Sequence, residues 1–253
     1  MTMANLEVIR ASFRTLKNPW LLFADRLGWR SGTYEVKTRN GARVEIRANT
    51  SDRYSVLEIA VRGDYFVTDA IVPGATVVDI GANIGVFTVI AGHLVGPTGR
   101  VIAIEPNPKT ADQLERNIAL NGLTNVSVHR KAVTGVPGTV MLHTGEKSIF
   151  SALVGVDGRA LTGATLPVVG ERLGDILAGE NIDKVDLIKI DCEGGEYEIF
   201  DTAGPELWAK LPCIVMETHR LNSRGPEELQ ARLRAAHYSI RSKNEMLCAT
   251  RMS

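Results

Sequence analysis

The clearest chemical signal is an apolar β-branched run that ends in a glycine-containing turn. The run Thr76–Ile80 leads into Gly81, Asn83 and Gly85, and an apolar helical pattern follows. In open parallel sheets, ligands bind beyond the carboxyl ends of the strands, at turns of this kind. We expect Gly81 to let the backbone turn tightly against a ligand and Gly85 to let the helix lie close to the strand. Asp79 would offer a carboxylate to a cationic group of that ligand.

The spacing of this turn separates two classes of cofactor. The diphosphate-binding fingerprint is G-x-G-x-x-G, whereas this turn reads D-x-G-A-N-x-G, with Asn83 where a diphosphate requires bare backbone. Glu105, twenty-four residues after Gly81, ends the next apolar run and would accept hydrogen bonds from ribose hydroxyls in either class. The turn therefore favours a sulfonium nucleoside, whose methionyl ammonium would meet Asp79, over the nicotinamide cofactor of an oxidoreductase.

A second group of polar residues follows two later apolar runs. Lys189 and Asp191 lie two positions apart at the end of one run, and Glu217 and His219 lie two apart at the end of the other. Alternate residues of a strand share a face, so neighbouring strands would bring Asp191, Glu217 and His219 together. This group could hold a divalent metal, although Mg²⁺ prefers oxygen ligands. It could also bind an acceptor and remove a proton from its hydroxyl.

Each of these residues also has a structural interpretation. Lys189 could pair with a carboxylate inside the sheet as readily as it could act in catalysis. Glu193 and Glu196 begin the next predicted helix, where acidic residues counter the helix dipole; this is the preferred role for Glu196. His219 could be an exposed loop residue. Our catalytic candidates are Lys189, Glu193 and His219, and our metal-ligand candidates are Asp191, Glu217 and His219.

The elements that must position these residues alternate between strand and helix patterns, which indicates a parallel sheet covered on both faces. The alternation begins after residue 72, is interrupted by a glycine-rich insertion at about 133–170, and ends in an antiparallel pair of strands. Before it come helical patterns, a hairpin around Asn40-Gly41, and a mixed, mainly helical pattern over 52–72. We expect one α/β domain at 73–253, with residues 1–72 forming a cap over the substrate or at a dimer contact.

Bulk properties narrow the class of partner. The 253 residues carry 29 Lys and Arg against 29 Asp and Glu, so the net charge is zero. Nucleic-acid-binding domains usually show a basic excess, and we therefore expect a small acceptor and no nucleic acid. Cys192, Cys213 and Cys248 form no CxxC pair, which indicates a reducing compartment. No apolar run approaches the ~20 residues that span a bilayer. These features predict a cytoplasmic chain without a membrane partner.

Three segments together resemble the FkbM family of methyltransferases. They are the Asp79–Gly85 turn, the sequence Glu105-Pro106-Asn107-Pro108, and above all D-L-I-K-I-D-C-E-G-G-E at 186–196. The resemblance covers roughly residues 74–219. It implies a class I methyltransferase: a Rossmann-like, doubly wound, mostly parallel seven-stranded sheet that uses S-adenosylmethionine to methylate hydroxyls, often of sugars or polyketides.

The resemblance also implies roles for individual residues. The methionine part of the cofactor would be surrounded by Asp79, Gly81, Asn83 and Gly85, and Glu105 would hold the ribose. Asn107 would also be a cofactor-binding residue. Ala132 would line the adenine, and Asp191 would lie near the sulfonium.

The expected enzyme is an O-methyltransferase for a sugar or glycosylated natural product, assisted by a divalent metal such as Mg²⁺ and forming a homodimer. A polyketide acceptor, a nicotinamide-dependent oxidoreductase and a non-catalytic nucleoside-binding module are the alternatives. Five aromatic side chains are candidates for stacking on a sugar: Trp20, Trp29, Tyr54, Tyr65 and Phe150.

Overall fold

The structure is a computed structural model that describes residues 3–65, 69–144, 151–152, 164–192, 194–221, 224–243 and 245–252. The strands are β1 (Thr33–Lys37), β2 (Arg43–Arg47), β3 (Thr76–Ile80), β4 (Arg100–Ile104), β5 (Val126–His129), β6 (Ala132–Val133), β7 (Gly138–Thr144), β8 (Ser151–Ala152), β9 (Ala164–Glu171), β10 (Leu187–Ile190), β11 (Cys213–Glu217), β12 (Tyr238–Lys243) and β13 (Met246–Arg251). The α-helices are α1 (Met3–Thr15), α2 (Trp20–Arg26), α3 (Asp52–Ser55), α4 (Val86–Val95), α5 (Pro108–Leu120), α6 (Leu173–Gly179), α7 (Glu196–Thr202), α8 (Pro205–Ala209) and α9 (Pro226–Ala235); a π-helix, Val56–Arg62, continues α3.

The main sheet has seven strands in the order β12-β13-β11-β10-β3-β4-β5. The five strands from β11 to β5 are parallel, and β13 is antiparallel to both of its neighbours. The chain moves outward from β3 to β5 and then returns to the other side of β3 at β10. The order therefore reverses between β3 and β10, which is where ligands bind in such sheets. The predicted doubly wound, mostly parallel, seven-stranded sheet is confirmed.

The register of the central strands brings the predicted polar residues to one edge of the sheet. Lys189 of β10 lies opposite Asp79 of β3, and Ile190 lies opposite Ile80. On its other side β10 pairs with β11. Asp191 therefore follows β10 beside the turn that follows β3, and Glu217 ends the strand next to it.

The first 65 residues pack against the sheet domain and share its core. One apolar cluster contains Leu16, Val36 and Ile46 from this part together with Val77 and Phe87 from the sheet and α4. The predicted hairpin is formed by β1 and β2, in which Thr33 lies opposite Arg47. Helix α5 binds it through side-chain amides such as that of Asn117, which donates to the Glu45 carbonyl.

The helix predicted over 52–72 is shorter and partly of another type. Four residues are α-helical and seven are π-helical, and the π-helix ends at Gly63, which has a left-handed conformation. A glycine adopts this conformation without steric cost and so ends the helix at Arg62. Single π-helical turns are frequent at functional sites.

The interval 133–170 contributes to a second sheet of four strands, in the order β6-β9-β7-β8. The sequence pattern predicts short strands at 139–143 and 166–169 in this interval; they correspond to β7 and β9, which pair in antiparallel fashion. The prediction missed β6 and β8, which are only two residues long each. No helix in the described parts of the chain is long and apolar enough to cross a membrane.

The turn after β3 can exist only with a glycine at position 81. Its φ is +71°, and a Cβ atom built there would lie 1.7 Å from the Asp191 carbonyl oxygen. The close approach is fixed by hydrogen bonds on both sides, since Gly81 N–H donates to the Ile104 carbonyl and Asp191 N–H donates to the Ile80 carbonyl. Gly81 thus allows β3, β4 and β10 to end together.

We predict that Gly81→Ala lowers the free energy of unfolding by more than about 3 kcal/mol, because backbone must move to relieve the clash. Gly63→Ala is the matched control: its φ is +70° but a Cβ atom there meets nothing within 4 Å. The left-handed conformation alone should cost it about 1 kcal/mol. Urea unfolding of both variants measures the difference, and equal losses would show that the contact with Asp191 does not limit this position.

Candidate active site

A cavity of about 480 Å³ opens at the carboxyl ends of β3, β10 and β11. Its floor is formed by the turn after β3 and by Lys189, Asp191 and Glu217, and its wall is formed by Tyr65 and by residues around α3 and the π-helix. The volume lies within the range of small-molecule sites. The cavity therefore combines the end of the main sheet with the N-terminal part of the chain.

Lys189 is a buried cation held by two carboxylates. Its side chain is 2% exposed, and Nζ lies 3.1 Å from Asp79 Oδ1 and 3.6 Å from Asp191 Oδ2. Nζ also donates to the Gly81 carbonyl at 2.7 Å. Burial would lower the pKa of this ammonium, but the Asp79 and Asp191 carboxylates outweigh that effect and raise it. A lysine that stays protonated cannot serve as a base, so the structural interpretation of Lys189 is the one its surroundings favour.

Asp79 differs from its predicted position at the ligand. Its carboxylate is completely buried, accepts a hydrogen bond from Thr88 Oγ1 at 2.5 Å and pairs with Lys189. Asp79 is the second-to-last residue of β3, a central strand whose sheet is covered by protein on both faces, so its side chain is enclosed. The carboxylate therefore contacts Lys189 and Thr88 beneath the turn and does not face the cavity.

Asp191 and Glu217 are joined by a phenol. Tyr65 Oη lies 2.9 Å from Asp191 Oδ2 and 3.0 Å from Glu217 Oε2. Burial and the neighbouring Asp191 carboxylate raise the pKa of Glu217 to about 7. One phenolic proton cannot be donated to both acids at once, so a protonated Glu217 donating to Tyr65, while Tyr65 donates to Asp191, satisfies both contacts.

His219 is held by the buried carboxylate of Glu196, a residue that we predicted to counter the dipole of the helix it begins. Glu196 Oε1 accepts from the His219 backbone N–H at 2.8 Å and lies 2.9 Å from His219 Nδ1. Glu196 is fully buried, and its other oxygen accepts from the Gly194 N–H. A carboxylate oxygen accepts hydrogen bonds, so this contact favours the tautomer of a neutral imidazole that has its proton on Nδ1. Glu196 therefore does more than counter the dipole of α7: it orients His219.

The predicted group of Asp191, Glu217 and His219 does come together. One ligand-type atom from each residue lies within 4.8 Å of the others. The His219 side chain is 10% exposed, so it is not the exposed loop residue of the alternative interpretation.

Glu105, which follows β4, binds the turn after β3 by hydrogen bonds. One carboxylate oxygen accepts from the Asn83 N–H and the other from the Asn107 N–H, each at 2.9 Å. Burial raises the pKa of Glu105 to about 7, although these two backbone N–H groups act in the opposite direction. Each oxygen of a carboxylate can accept a second hydrogen bond. Asn83 has φ of +51°, a left-handed conformation that asparagine tolerates, and it lines the cavity.

Three further predicted cofactor residues have different neighbours from those expected. Gly85 lies close to α5, where a Cβ atom would be 2.5 Å from Leu114 Cδ1, and not to the strand. The Asn107 side chain caps α5 by accepting from the Lys109 N–H. The Ala132 methyl packs in the apolar cluster of the second sheet with Leu142 and Val168, because β6 pairs with β9 directly after β5. These residues shape the surroundings of the site.

Other candidates divide between the cavity and the rest of the chain. Glu193 and Phe150 lie outside the described residues. Tyr54 and Tyr65 line the cavity, whereas Trp20 and Trp29 are not among its lining residues. Sequence reasoning missed the role of Glu196 and the hydroxyl role of Tyr65. The E-G-G-E spacing after Asp191 is the one signal that pointed to Glu196.

Three relatives and one solved structure are similar to this chain. Methyltransferase sdnD of Sordaria araneosa is 29% identical over 56% of this chain and 65% of its own length. Methyltransferase 1 of Beauveria bassiana is 29% identical over 56% of this chain and 63% of its own length. The chain thus spans just under two thirds of both relatives. The 31-O-demethyl-FK506 methyltransferase FkbM of Streptomyces tacrolimicus is 28% identical over 70% of this chain and 77% of its own length.

The crystal structure of the methyltransferase FkbM from Methylobacillus flagellatus KT has a TM-score of 0.49 and 16% identity, covering 78% of this chain and 53% of that one. The family model described as the methyltransferase FkbM domain matches residues 79–240, more than half of the chain. Family membership implies S-adenosylmethionine as the methyl donor. The chain belongs to the FkbM family of methyltransferases.

Proposed function

We propose that this enzyme is an S-adenosylmethionine-dependent O-methyltransferase for a hydroxyl of a polar small molecule such as a sugar. The observation that carries the proposal is the grouping of Asp191, Glu217 and His219, of which Asp191 and Glu217 line the cavity beside the turn after β3. A hydroxyl is a poor nucleophile at neutral pH and needs a group that takes its proton. The name of the Streptomyces tacrolimicus relative, which refers to an O-demethyl compound, supports oxygen as the target.

The residues around the turn fit the methyl donor. Each Glu105 oxygen already accepts one backbone N–H, from Asn83 or Asn107, and has a second acceptor site for a ribose hydroxyl. Gly81 and Asn83 line the cavity with backbone and amide groups. When bound, S-adenosylmethionine supplies an electrophilic methyl group on a sulfonium sulfur. The Asp191 carboxylate at the cavity floor would favour that positive charge.

His219 is the residue best suited to take the hydroxyl proton. Glu196 favours the Nδ1–H tautomer, and in that tautomer Nε2 is the ring nitrogen that takes up a proton. The imidazolium that forms is stabilised by the Glu196 carboxylate, which is the role of the acid in a carboxylate–histidine pair. Glu196 acts here as a positioning residue, because it contacts only His219 and its own turn among the groups described above.

The cavity wall supports a polyhydroxylated acceptor. Tyr54 is 45% exposed, its ring lies under the Arg53 guanidinium at 4.6 Å, and both line the cavity with Asn49 and Glu58. An exposed aromatic face surrounded by amide, carboxylate and guanidinium groups suits a sugar ring, whose C–H face is apolar and whose edge carries hydroxyls. The homodimer and the cytoplasmic location stay predictions from the sequence.

A divalent metal at Asp191, Glu217 and His219 is our second proposal, supported by the 4.8 Å grouping of their ligand atoms. Two oxygens and one nitrogen suit Mn²⁺ or Zn²⁺ better than Mg²⁺, and Glu196 would then orient a ligating histidine. We rank it second because Asp191 is already balanced by the Lys189 ammonium and by the Tyr65 hydroxyl.

We predict that S-adenosylhomocysteine binds more weakly as the pH falls below about 7. Only the ionised Glu105 carboxylate accepts from both ribose hydroxyls, and a pKa of about 7 leaves it ionised above that pH and protonated below it. Affinity measured by calorimetry should therefore be about tenfold lower near pH 6 than near pH 8. Glu105→Gln should bind more weakly at high pH and show a flat profile. A wild-type profile as flat as that of the variant would contradict the assignment of Glu105 to the ribose.

We predict that His219→Ala lowers kcat by about 10²- to 10⁴-fold, the usual contribution of a general base. Glu196→Gln should lower kcat by about 10²-fold or more, because the imidazole loses its charged partner. Both variants should bind S-adenosylhomocysteine as the wild type does. The matched control is His129→Gln, which removes another histidine–carboxylate pair, with Glu180 at 2.7 Å, away from the cavity lining. A kcat of His219→Ala close to that of this control would exclude His219 as the base.

Chelation separates the two proposals. With His219 as the base, turnover of labelled S-adenosylmethionine with a hydroxylated acceptor should be unchanged after treatment with EDTA and desalting. Activity that falls on this treatment and returns with Mn²⁺ or Mg²⁺, but not with Na⁺, would make His219 a metal ligand. Glu217→Gln would then lower the affinity for the restoring metal.

A further inference from the structure

The outer surface of α1 and α2 carries an exposed apolar face. Leu6, Phe13, Trp20, Leu27 and Trp29 are between 36% and 77% exposed. They are five of the twelve large apolar side chains that are exposed in the described parts of the chain. Such a concentration within residues 6–29 marks an interaction surface.

Helical spacing makes this a continuous face. Leu6 and Phe13 are seven positions apart on α1, and Trp20, Phe23 and Leu27 follow i, i+3, i+7 spacing along α2. Positions with this spacing lie on one side of a helix. The two helices meet where the rings of Phe13 and Phe23 stack, with centroids 6.2 Å apart. The inner side of α2 is buried through Leu22 and Asp25, so the apolar face has no protein cover within the described residues.

Positive charge surrounds this outer apolar face (Leu6, Phe13, Trp20, Phe23, Leu27 and Trp29). Residues 1–30 contain five Lys or Arg and two acidic residues, a net charge of +3 in a chain whose total charge is zero. Arg10, Arg14, Lys17 and Arg26 are exposed. One of the two acids, Asp25, is buried. Arg10 lies four positions after Leu6 and three before Phe13, so it lies between them on the same side of α1.

From this combination we infer that the outer apolar face binds the surface of an anionic lipid bilayer. Aromatic rings favour the interface between headgroups and acyl chains, and each nearby Lys or Arg adds attraction to anionic headgroups. Helices that combine exposed apolar side chains with nearby basic ones lie in this interface without crossing it. A second copy of the chain fits less well, because a twofold axis through the face would bring its own cations together. This inference departs from the sequence-based expectation of a chain without a membrane partner.

The test is cosedimentation of the full chain with two kinds of vesicle: phosphatidylcholine alone, and a mixture with about a third phosphatidylglycerol. We expect binding to the mixed vesicles only, weakened by salt. The emission of Trp20 and Trp29 should shift to shorter wavelength on binding. The third tryptophan, Trp208, packs between Phe200 and Tyr238 and should not respond.

Two variants and two controls make the test specific. Trp20→Ser and the double variant Arg10→Glu/Arg14→Glu should each weaken binding at least about tenfold. The controls alter the same kinds of residue elsewhere: Val136→Ser, at a site that is 69% exposed, and Arg234→Glu, on the exposed side of α9. They should bind as the wild type does, and all variants should keep their affinity for S-adenosylhomocysteine, which separates this inference from the proposed function.

Three results would overturn the inference. They are no binding to the mixed vesicles, equal binding to both kinds of vesicle, and self-association without vesicles that Trp20→Ser abolishes. The last of these would assign the face to a second copy of the chain.

Discussion

The candidate site depends on one buried ion cluster centred on Lys189. Its ammonium lies between Asp79 and Asp191 and binds the carbonyl of the turn that joins them. Desolvating three charges is costly, and a buried pair repays that cost only when its geometry is good and further hydrogen bonds are made. Thr88 and the Gly81 carbonyl make those bonds. Loss of the ammonium would leave the buried Asp79 carboxylate without its cation, which typically costs about 3–5 kcal/mol.

This cluster also sets the chemistry of the cavity. By balancing Asp191, the Lys189 ammonium lets a second carboxylate, Glu217, lie within reach of the same phenol at Tyr65. The pKa of Glu217 rises to about 7 because the remaining negative charge is poorly solvated. The floor of the cavity is thus acidic but not fully ionised, and it can accommodate a cationic donor without being filled by a cation of its own.

The sheet could be predicted well from the sequence because the patterns that specify it are local. Apolar runs, glycine turns and the D-x-G-A-N-x-G spacing act over a few residues, and the carboxyl ends of parallel strands meet by geometry. The convergence of Asp191, Glu217 and His219 followed from the two-residue period of strands. These inferences needed only the assumption that β10 and β11 are neighbours, which the structure confirms.

The site predictions that differ from the structure concern burial and contacts between residues far apart in the chain. Residue type and local spacing reveal neither. Asp79 was predicted to meet the methionyl ammonium of the ligand, whereas in the structure its carboxylate is buried and pairs with Lys189. Glu196 was assigned to the helix dipole although its partner lies twenty-three residues away. Tyr65 reaches Asp191 across 126 residues of sequence, and no local pattern predicts such a contact.

The N-terminal part of the chain explains why these distant contacts exist. Its apolar side chains share one core with β3 and α4, so the π-helix and Tyr65 are held against the sheet by the same packing that stabilises the domain. A cap attached in this way cannot swing freely, because opening it would expose Leu16, Val36 and Ile46 to water at about 1.5–3 kcal/mol for each side chain. Access to the cavity therefore depends on side chains at its rim, such as Tyr54 and Arg53, and acceptor specificity would be altered most directly there.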